Sequence, residues 1–230
     1  GTAVQGLSAS ESSFQGALAY AKDRLAMRSL SGPKAPEKEA DPIIVHPAVR
    51  NMLLTQKAFA EGGRALVYDL AHYADVVEQA ATEEERKFAD NILSLLTPIA
   101  KAFLTEAGSE AAKHGVQVFG GHGFISEHGM EQIVRDARIS TLYEGTTGVQ
   151  ALDLIGRKVL LSSKGKVVRE YTAEILKFCG QHARNKYMRR FAWDLTKVCA
   201  QWNALTVRIM LAARKDRDIV SSASVDFLMF

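Results

Sequence analysis

One carboxylate stands out because it lies on a turn between two helical segments. It is Glu144, in the sequence Tyr143-Glu144-Gly145-Thr146. The glycine lets a partner molecule come close, and a well-placed carboxylate can act as a general base. Two simpler roles fit the local sequence at least as well, a solvated loop acid or an N-terminal cap of the next helix. The turn alone therefore indicates a candidate base and no particular reaction.

A second candidate is the glycine-rich stretch Phe119-Gly120-Gly121-His122-Gly123-Phe124. It lacks the Lys-Ser/Thr ending of a phosphate-binding loop, and it follows a helix, whereas a dinucleotide-binding fingerprint follows a strand. Three glycines in four residues also end a helix. A helix stop with a tight turn therefore explains the stretch as well as a binding turn does.

The sequence gives little indication of a metal site or of a membrane-spanning segment. The histidines and the two cysteines, Cys179 and Cys199, show no metal-ligand spacing, so we expect no metal site. Two cysteines make no disulfide framework, and we expect reduced core residues of an intracellular protein. We see no membrane-spanning run and no signal peptide. Both ends look cut, and we expect a fragment.

The segments that position these residues carry mainly the sequence patterns of α-helices. Apolar side chains recur every three or four positions from Phe88 to Phe103, and Thr82 with Glu85 has the form of a capping box. A helix this long, ending near His114, is typical of a bundle. We predict an all-α, antiparallel helix bundle in which the two glycine-marked turns lie near one another. Other helices are expected over about 10–28, 47–78, 130–140 and 147–161, with a mobile proline-rich loop over 31–42.

Three segments together strongly resemble the acyl-CoA dehydrogenase family in residue type, order and spacing. They are Gln117–Phe124, Arg135–Ile139 and Tyr143–Thr146. The resemblance covers about residues 4–158 and corresponds to the carboxy-terminal helical portion of the family. The continuation Ala151–Lys158 and the long tail are similar to an extended bacterial branch. That branch includes the 3-methylmercaptopropionyl-CoA dehydrogenases and carries an extra helical segment.

This resemblance implies an oxidoreductase that uses FAD to dehydrogenate an acyl-CoA thioester between its α and β carbons. Glu144 matches the family base, which removes the α-proton while the β-hydride moves to flavin N5. A thioester α-proton is only weakly acidic, so such a base must be desolvated to act well. Tyr143 matches a residue that lines the thioester site, and Gly145 lets the substrate approach.

The resemblance also implies how FAD is held. The residues that match positions around its adenosine, pyrophosphate and phosphate parts are Arg24, Gln117, Gly120, Gly121 and Thr146. Arg24, Gln117 and Gly121 would serve the cofactor of a neighbouring subunit, so we expect a homodimer or homotetramer. The implied electron acceptor is electron-transfer flavoprotein, and the implied location is the bacterial cytoplasm.

The sequence departs from the family pattern mainly on the cofactor side. Met27 and Arg28 stand where the family has an aromatic–glycine pair, His122 replaces an asparagine, and Gly148 replaces a polar residue. Arg24 precedes the first of these departures. Glu144 lies in a turn that matches the family throughout.

Charge divides the chain into an acidic and a basic part. From Arg157 onward, 15 lysines and arginines stand against 6 acidic residues, a net charge of +9, and the remainder carries −6. We expect the bundle over residues 1–161 and a basic helical extension, truncated, over 162–230.

Three alternatives to a dehydrogenase stay open at this point. An acyl-CoA oxidase shares the fold and the base. A nucleic-acid-binding flavoprotein of the same superfamily would use the basic tail, in which the run Arg184–Trp193 interleaves bases with aromatics. A purely structural bundle would leave the paired motifs as coincidence.

Overall fold

The computed structural model describes residues 1–230, which form nine α-helices and no β-sheet. The all-α prediction is therefore confirmed. The α-helices are α1 (Thr2–Asp23), α2 (Pro47–Gln79), α3 (Glu83–Phe119), α4 (Gly121–Phe124), α5 (Met130–Ser140), α6 (Thr147–Leu152), α7 (Lys166–His182), α8 (Arg189–Ala212) and α9 (Asp218–Met229). Two 3₁₀ turns, Ile43–Val45 and Ser126–His128, and a π-helix, Asp153–Ser162, complete the structure. No helix has the length and apolar character needed to cross a bilayer.

The chain folds into two compact units. The first contains residues 1–69 and 100–146, and the second contains residues 70–99 and 147–230. The long helices α2 and α3 contribute residues to both units. Each unit combines two separate stretches of the chain, whereas the boundary predicted at residue 161 separates two continuous stretches. That boundary stays a prediction.

The first unit is built on a close contact between α1 and α3, which run in the same direction. Gly6 on α1 lies against Leu104 on α3, and further along both helices the Ser13 hydroxyl donates to the Ala111 carbonyl at 2.8 Å. A Cβ atom at residue 6 would lie 2.1 Å from the Leu104 carbonyl oxygen. The helices can approach this closely only because residue 6 is a glycine.

α2 and α5 run in the opposite direction and complete the bundle. Gln56 Nε2 donates to the Ala111 carbonyl at 3.0 Å, and seven residues later Gly63 lies against Leu104. As α2 advances, its contacts therefore move back along α3. α5 also runs antiparallel to α1. Met130 at its start lies against Gly16, whereas Ala137 near its end lines the same cleft as Val4 at the start of α1. The predicted antiparallel bundle is confirmed.

The predicted helix bounds hold for α2 and α5 and need correction at α1 and α3. α1 begins at Thr2 and ends before the predicted residue 28, while α3 continues beyond its predicted end to Phe119. The Thr82 hydroxyl accepts the Glu85 N–H at 3.2 Å, which confirms the capping interaction at the start of α3.

In the second unit, a lysine side chain satisfies a backbone carbonyl of α3 that a proline leaves without its helical partner. Pro98 has no N–H, so the carbonyl of Ser94, four residues earlier, loses its helical partner. The Lys158 ammonium donates to this carbonyl and lies 3.5 Å from the Asp153 carboxylate. Asp153 and Lys158 share a face because they belong to the π-helix, whose hydrogen bonds join residues five apart. The single α-helix predicted over 147–161 is therefore wrong beyond residue 152.

The rest of the second unit centres on α7 and α8, which form an antiparallel pair. Asn203 on α8 donates to the Thr172 hydroxyl on α7 at 2.8 Å. Cys179 and Cys199 are buried free thiols in this pair, as predicted. Burial raises the pKa of Cys199, which favours the protonated thiol over the reactive thiolate.

The loop between α1 and α2 is built around one buried aspartate. Asp41 is 0% exposed and accepts the backbone N–H groups of Ser29, Lys34 and Ala35, each at 2.8 Å. Arg28 adds an ion pair at 3.3 Å. These hydrogen bonds, with that of Ser29 the strongest influence, hold the pKa of Asp41 far below its usual range. The proline-rich composition predicted a loop here but did not indicate this internal framework.

Candidate active site

The turn between α5 and α6 has an unusual backbone at the candidate base. Glu144 has a φ of 54° and Gly145 has a φ of 89°, so two consecutive residues lie in the left-handed region. Glycine adopts this conformation freely, whereas a glutamate does so at a cost in free energy. Residues held in such conformations cluster at functional sites. The backbone therefore supports a role for Glu144 beyond that of a surface acid.

Side chains from two other helices hold this turn. From α1, the Thr2 hydroxyl donates a hydrogen bond to Glu144 Oε2. From α3, the Lys101 ammonium donates to the Gly145 carbonyl oxygen at 2.7 Å. One contact fixes the carboxylate and the other fixes the backbone beside it.

Tyr143 joins the turn to a cleft between α1 and α5. Its hydroxyl donates to Gln5 Oε1, and Gln5 is one of the residues that line the cleft. The cleft has a volume of about 530 Å³, with Val4 among its apolar walls and Asp136 among its polar ones. Tyr143 therefore lies beside a cavity within the size range of small-molecule sites.

The carboxylate of the turn is open to solvent. Glu144 and Thr146 are both exposed, and the neighbouring apolar side chains of Ile139 and Leu142 are 55% and 44% exposed. A base for a weakly acidic proton works best when water is excluded from it. Residues 1–230 do not provide the predicted desolvation of Glu144 by themselves.

Four of the predicted cofactor residues lie together at the other end of α1. Arg24, Gln117, Gly120 and Gly121 line one cavity of about 350 Å³. Gly120 has a φ of 61° and a ψ of −138°, a conformation that side-chain-bearing residues rarely adopt. An exposed guanidinium, an amide and bare glycine backbone can together bind an anionic, nucleotide-like group.

Aromatic rings form one wall of this cavity. Tyr20 stacks on Phe119 with ring centroids 4.0 Å apart, and its hydroxyl oxygen lies 2.7 Å from His122 Nδ1. His122 in turn stacks on His128 at 5.1 Å. The histidine that departs from the family pattern is therefore held by a hydrogen bond and by stacking.

The prediction that the two glycine-marked turns lie near one another is wrong. Thr2 contacts Glu144, and Tyr20, 18 residues later on the same helix, contacts His122. At 1.5 Å per residue, the two contact points are about 27 Å apart along α1. Because α1 is one unbroken helix, a single chain does not bring the base and the cofactor residues into one site.

Sequence analysis did not predict the two residues that hold the base turn from other helices, Thr2 and Lys101. Lys101 is only 6% exposed, and burial lowers its pKa while the carboxylates of Glu106 and Glu144 act in the opposite direction. A usable signal was present in the sequence, because this lysine interrupts a run of small and apolar residues. Thr2 carries no comparable signal.

Known proteins resemble this chain over nearly its whole length. Residues 1–160 match the family model described as "Acyl-CoA dehydrogenase, C-terminal domain". A 3-methylmercaptopropionyl-CoA dehydrogenase from Ruegeria pomeroyi is 40% identical over 227 residues, which are 98% of this chain and 38% of that protein. The likeness extends past residue 160, which confirms the predicted resemblance to the branch with a carboxy-terminal extension. The chain spans about two-fifths of the length of this relative.

Solved structures share the fold at low sequence identity. A complex of Caenorhabditis elegans ACDH-11 with C11-CoA matches with a TM-score of 0.83 and 18% identity, over 99% of this chain and 35% of that one. An acyl-CoA dehydrogenase from Bacillus anthracis complexed with FAD matches with a TM-score of 0.54 and 19% identity, over 99% of this chain and 45% of that one.

Proposed function

The chain belongs to the acyl-CoA dehydrogenase family, and from this we propose that the whole protein oxidises an acyl-CoA thioester between its α and β carbons. The observation that carries the proposal is Glu144, an anchored carboxylate on a left-handed turn whose sequence resembles that of the family base. Residues outside this chain cover the base and complete the substrate pocket. The chain alone is expected to be inactive.

FAD is the proposed cofactor, and the residues at the far end of α1 fit part of it. Arg24, Gln117, Gly120 and Gly121 surround one cavity with a cation, an amide and open backbone. Such a donor set suits a pyrophosphate and its nucleoside. Thr146 lies on the base turn instead and would contact the phosphates of a different FAD molecule. The acyl-CoA dehydrogenase structure complexed with FAD supports this choice of cofactor.

In the proposed reaction Glu144 removes the α-proton of the thioester. Thr2 and Lys101 already hold the carboxylate and the turn, so little reorganisation is needed when the substrate arrives. Tyr143 lines the thioester site, and Gly145 offers no side chain that would block it. A bound FAD would supply the acceptor, flavin N5, for the hydride of the β carbon.

The proposed partners follow from the separation of the two clusters. Because the base and the cofactor cavity lie about 27 Å apart in one chain, we propose that they serve different FAD molecules in a homodimer or homotetramer. Acyl-CoA is the substrate, and the C11-CoA complex of ACDH-11 supports this class. Electron-transfer flavoprotein is the proposed electron acceptor, and the bacterial cytoplasm is the proposed location.

The test replaces Glu144 by glutamine in the whole, FAD-loaded protein. Glutamine keeps the shape of the side chain and removes its basicity, and general-base catalysis is typically worth about 10²–10⁴-fold. We expect flavin reduction by an acyl-CoA to slow by the upper part of that range or more. Affinities for FAD and acyl-CoA should change far less. Rapid mixing with detection of flavin bleaching measures the rate.

Glu174→Gln is the matched control, because Glu174 is an exposed acid on α7. It should bleach like the wild type. If Glu144→Gln bleaches within about threefold of the wild type, Glu144 is a loop acid and the proposed function loses its main support.

The alternatives are not favoured by the comparisons, which lead to dehydrogenases. An acyl-CoA oxidase would produce peroxide steadily during turnover, which the same preparation can report. The nucleic-acid-binding alternative depends on the basic tail with its net charge of +9, in which Tyr187, Phe191 and Trp193 are exposed. Salt-sensitive binding to duplex DNA would favour it.

A further inference from the structure

Lys101 is a buried lysine whose ammonium lies against the base turn. It is 6% exposed, and its neighbours along α3, Ala100 and Ala102, are 1% and 0% exposed. Its Nζ donates to the Gly145 carbonyl oxygen at 2.7 Å. Removing an ammonium from water is costly, and an apolar side chain would fill this position without that cost. Packing of α3 therefore does not explain why the residue is a lysine.

The surrounding charges connect Lys101 to the candidate base. The carboxylates of Glu106 and Glu144 offset part of the effect that burial has on the pKa of Lys101. Lys101 therefore lies close enough to Glu144 for the two charges to interact. The other titratable group of the turn is the Tyr143 phenol, which donates to Gln5.

We propose that Lys101 is a positioning residue of the reaction, an inference that rests on the proposed role of Glu144 as the base. Its hydrogen bond fixes the Gly145 carbonyl and with it the left-handed turn that carries Glu144. Thr2 holds the carboxylate itself, so backbone and side chain are fixed from two different helices.

The experiment measures flavin reduction over a range of acyl-CoA concentrations in the whole, FAD-loaded protein. Lys101→Met removes the charge and the donor at similar length, while Lys101→Arg keeps both. Lys113→Met is the matched control, because Lys113 lies on the same helix with its side chain 63% exposed. Flavin content and circular dichroism check that each variant is folded and loaded.

We expect Lys101→Met to slow flavin reduction by about 10- to 100-fold, since a displacement of about 1 Å in an active site can cost about 10²-fold. The acyl-CoA concentration that gives half-maximal reduction should change far less, because the contacts of the thioester stay in place. Lys101→Arg should recover most of the limiting rate, because it keeps a donor for the Gly145 carbonyl. Lys113→Met should match the wild type in both.

A Lys101→Met protein that reduces flavin at the wild-type limiting rate overturns the proposal. A slow Lys101→Met protein that arginine does not rescue also overturns it, since that result indicates packing alone. If Lys101→Met does not fold or bind FAD, Lys101→Gln replaces it, and a wild-type limiting rate in that variant then counts against the proposal. Glu144→Gln, measured alongside, separates the two ideas: fast reduction there defeats the proposed function itself.

Discussion

Glu144 and His122 contact opposite ends of the same helix, Glu144 through Thr2 and His122 through Tyr20. The contact points lie about 27 Å apart along α1. A two-fold axis can bring the cofactor cavity of one subunit to the base of another, because a symmetric interface presents the same surfaces twice. The separation therefore supports active sites that are shared between subunits.

Shared sites predict complementation between two inactive variants. One subunit carries Glu144→Gln, and the other carries Arg24→Ala with Gln117→Ala. In a mixed dimer with shared sites, one site receives both defects and the other receives none. Random mixing should restore about a quarter of wild-type activity, since half of the dimers are mixed and each has one intact site. Activity of the co-refolded or co-expressed mixture is the measurement.

Each variant alone should stay inactive or strongly impaired, which is the control for this mixture. If the base and the cavity served the same subunit's FAD, every site in the mixed dimer would carry one defect. No recovery above the parent variants would contradict shared sites.

The Asp41 framework predicts an acid-sensitive loop between α1 and α2. The pKa of Asp41 is lowered by the N–H groups of Ser29, Ala35 and Lys34, so its stabilising effect is complete above the ordinary aspartate pKa of about 3.9. The effect is lost as pH falls from there towards the lowered native value. Asp41→Asn should remove it at neutral pH as well, and amide hydrogen exchange over residues 29–35 should quicken. Asp75→Asn on α2 serves as the control and should leave this exchange unchanged.

Pro98 and Lys158 should be energetically coupled through the Ser94 carbonyl. Lys158→Met leaves that carbonyl without a partner and should lower the free energy of unfolding by about 1–3 kcal/mol. Pro98→Ala restores an N–H to the helix, so the same lysine substitution should cost less in that background. The unfolding midpoints of the wild type, the two single variants and the double variant form the double-mutant cycle. Strict additivity would show that Lys158 has no part in satisfying Ser94.

The contact between α1 and α3 predicts opposite effects of two glycine-to-alanine changes. Gly6→Ala places a methyl group 2.1 Å from the Leu104 carbonyl oxygen and should destabilise the protein by about 1–3 kcal/mol or more. Gly62→Ala meets nothing within 4 Å and should stabilise α2 by up to about 1 kcal/mol. Unfolding midpoints compare the two. Equal shifts would mean that the helices can separate at little cost.

The sequence by itself determined the features whose causes lie close together along the chain. Apolar periodicity and turn residues placed α2 and α5 within a residue of their bounds, because both signals come from neighbouring positions. The motif around Glu144 was recognisable for the same reason, since its turn and flanking helices are contiguous. Local patterns could not show that Phe103 would be 37% exposed, because its surroundings come from other helices.

Only the tertiary structure decided which residues support the base and which turns share a site. Lys101 and Gly145 are 44 positions apart, and nothing along the chain pairs them. They meet in a region where α1 contacts both of their elements, since Thr2 donates to Glu144 and Gly6 lies against Leu104. From the sequence we predicted that the two glycine-marked turns lie near one another. The rigid length of α1 separates them, because contacts with its two ends cannot be closer than the helix allows.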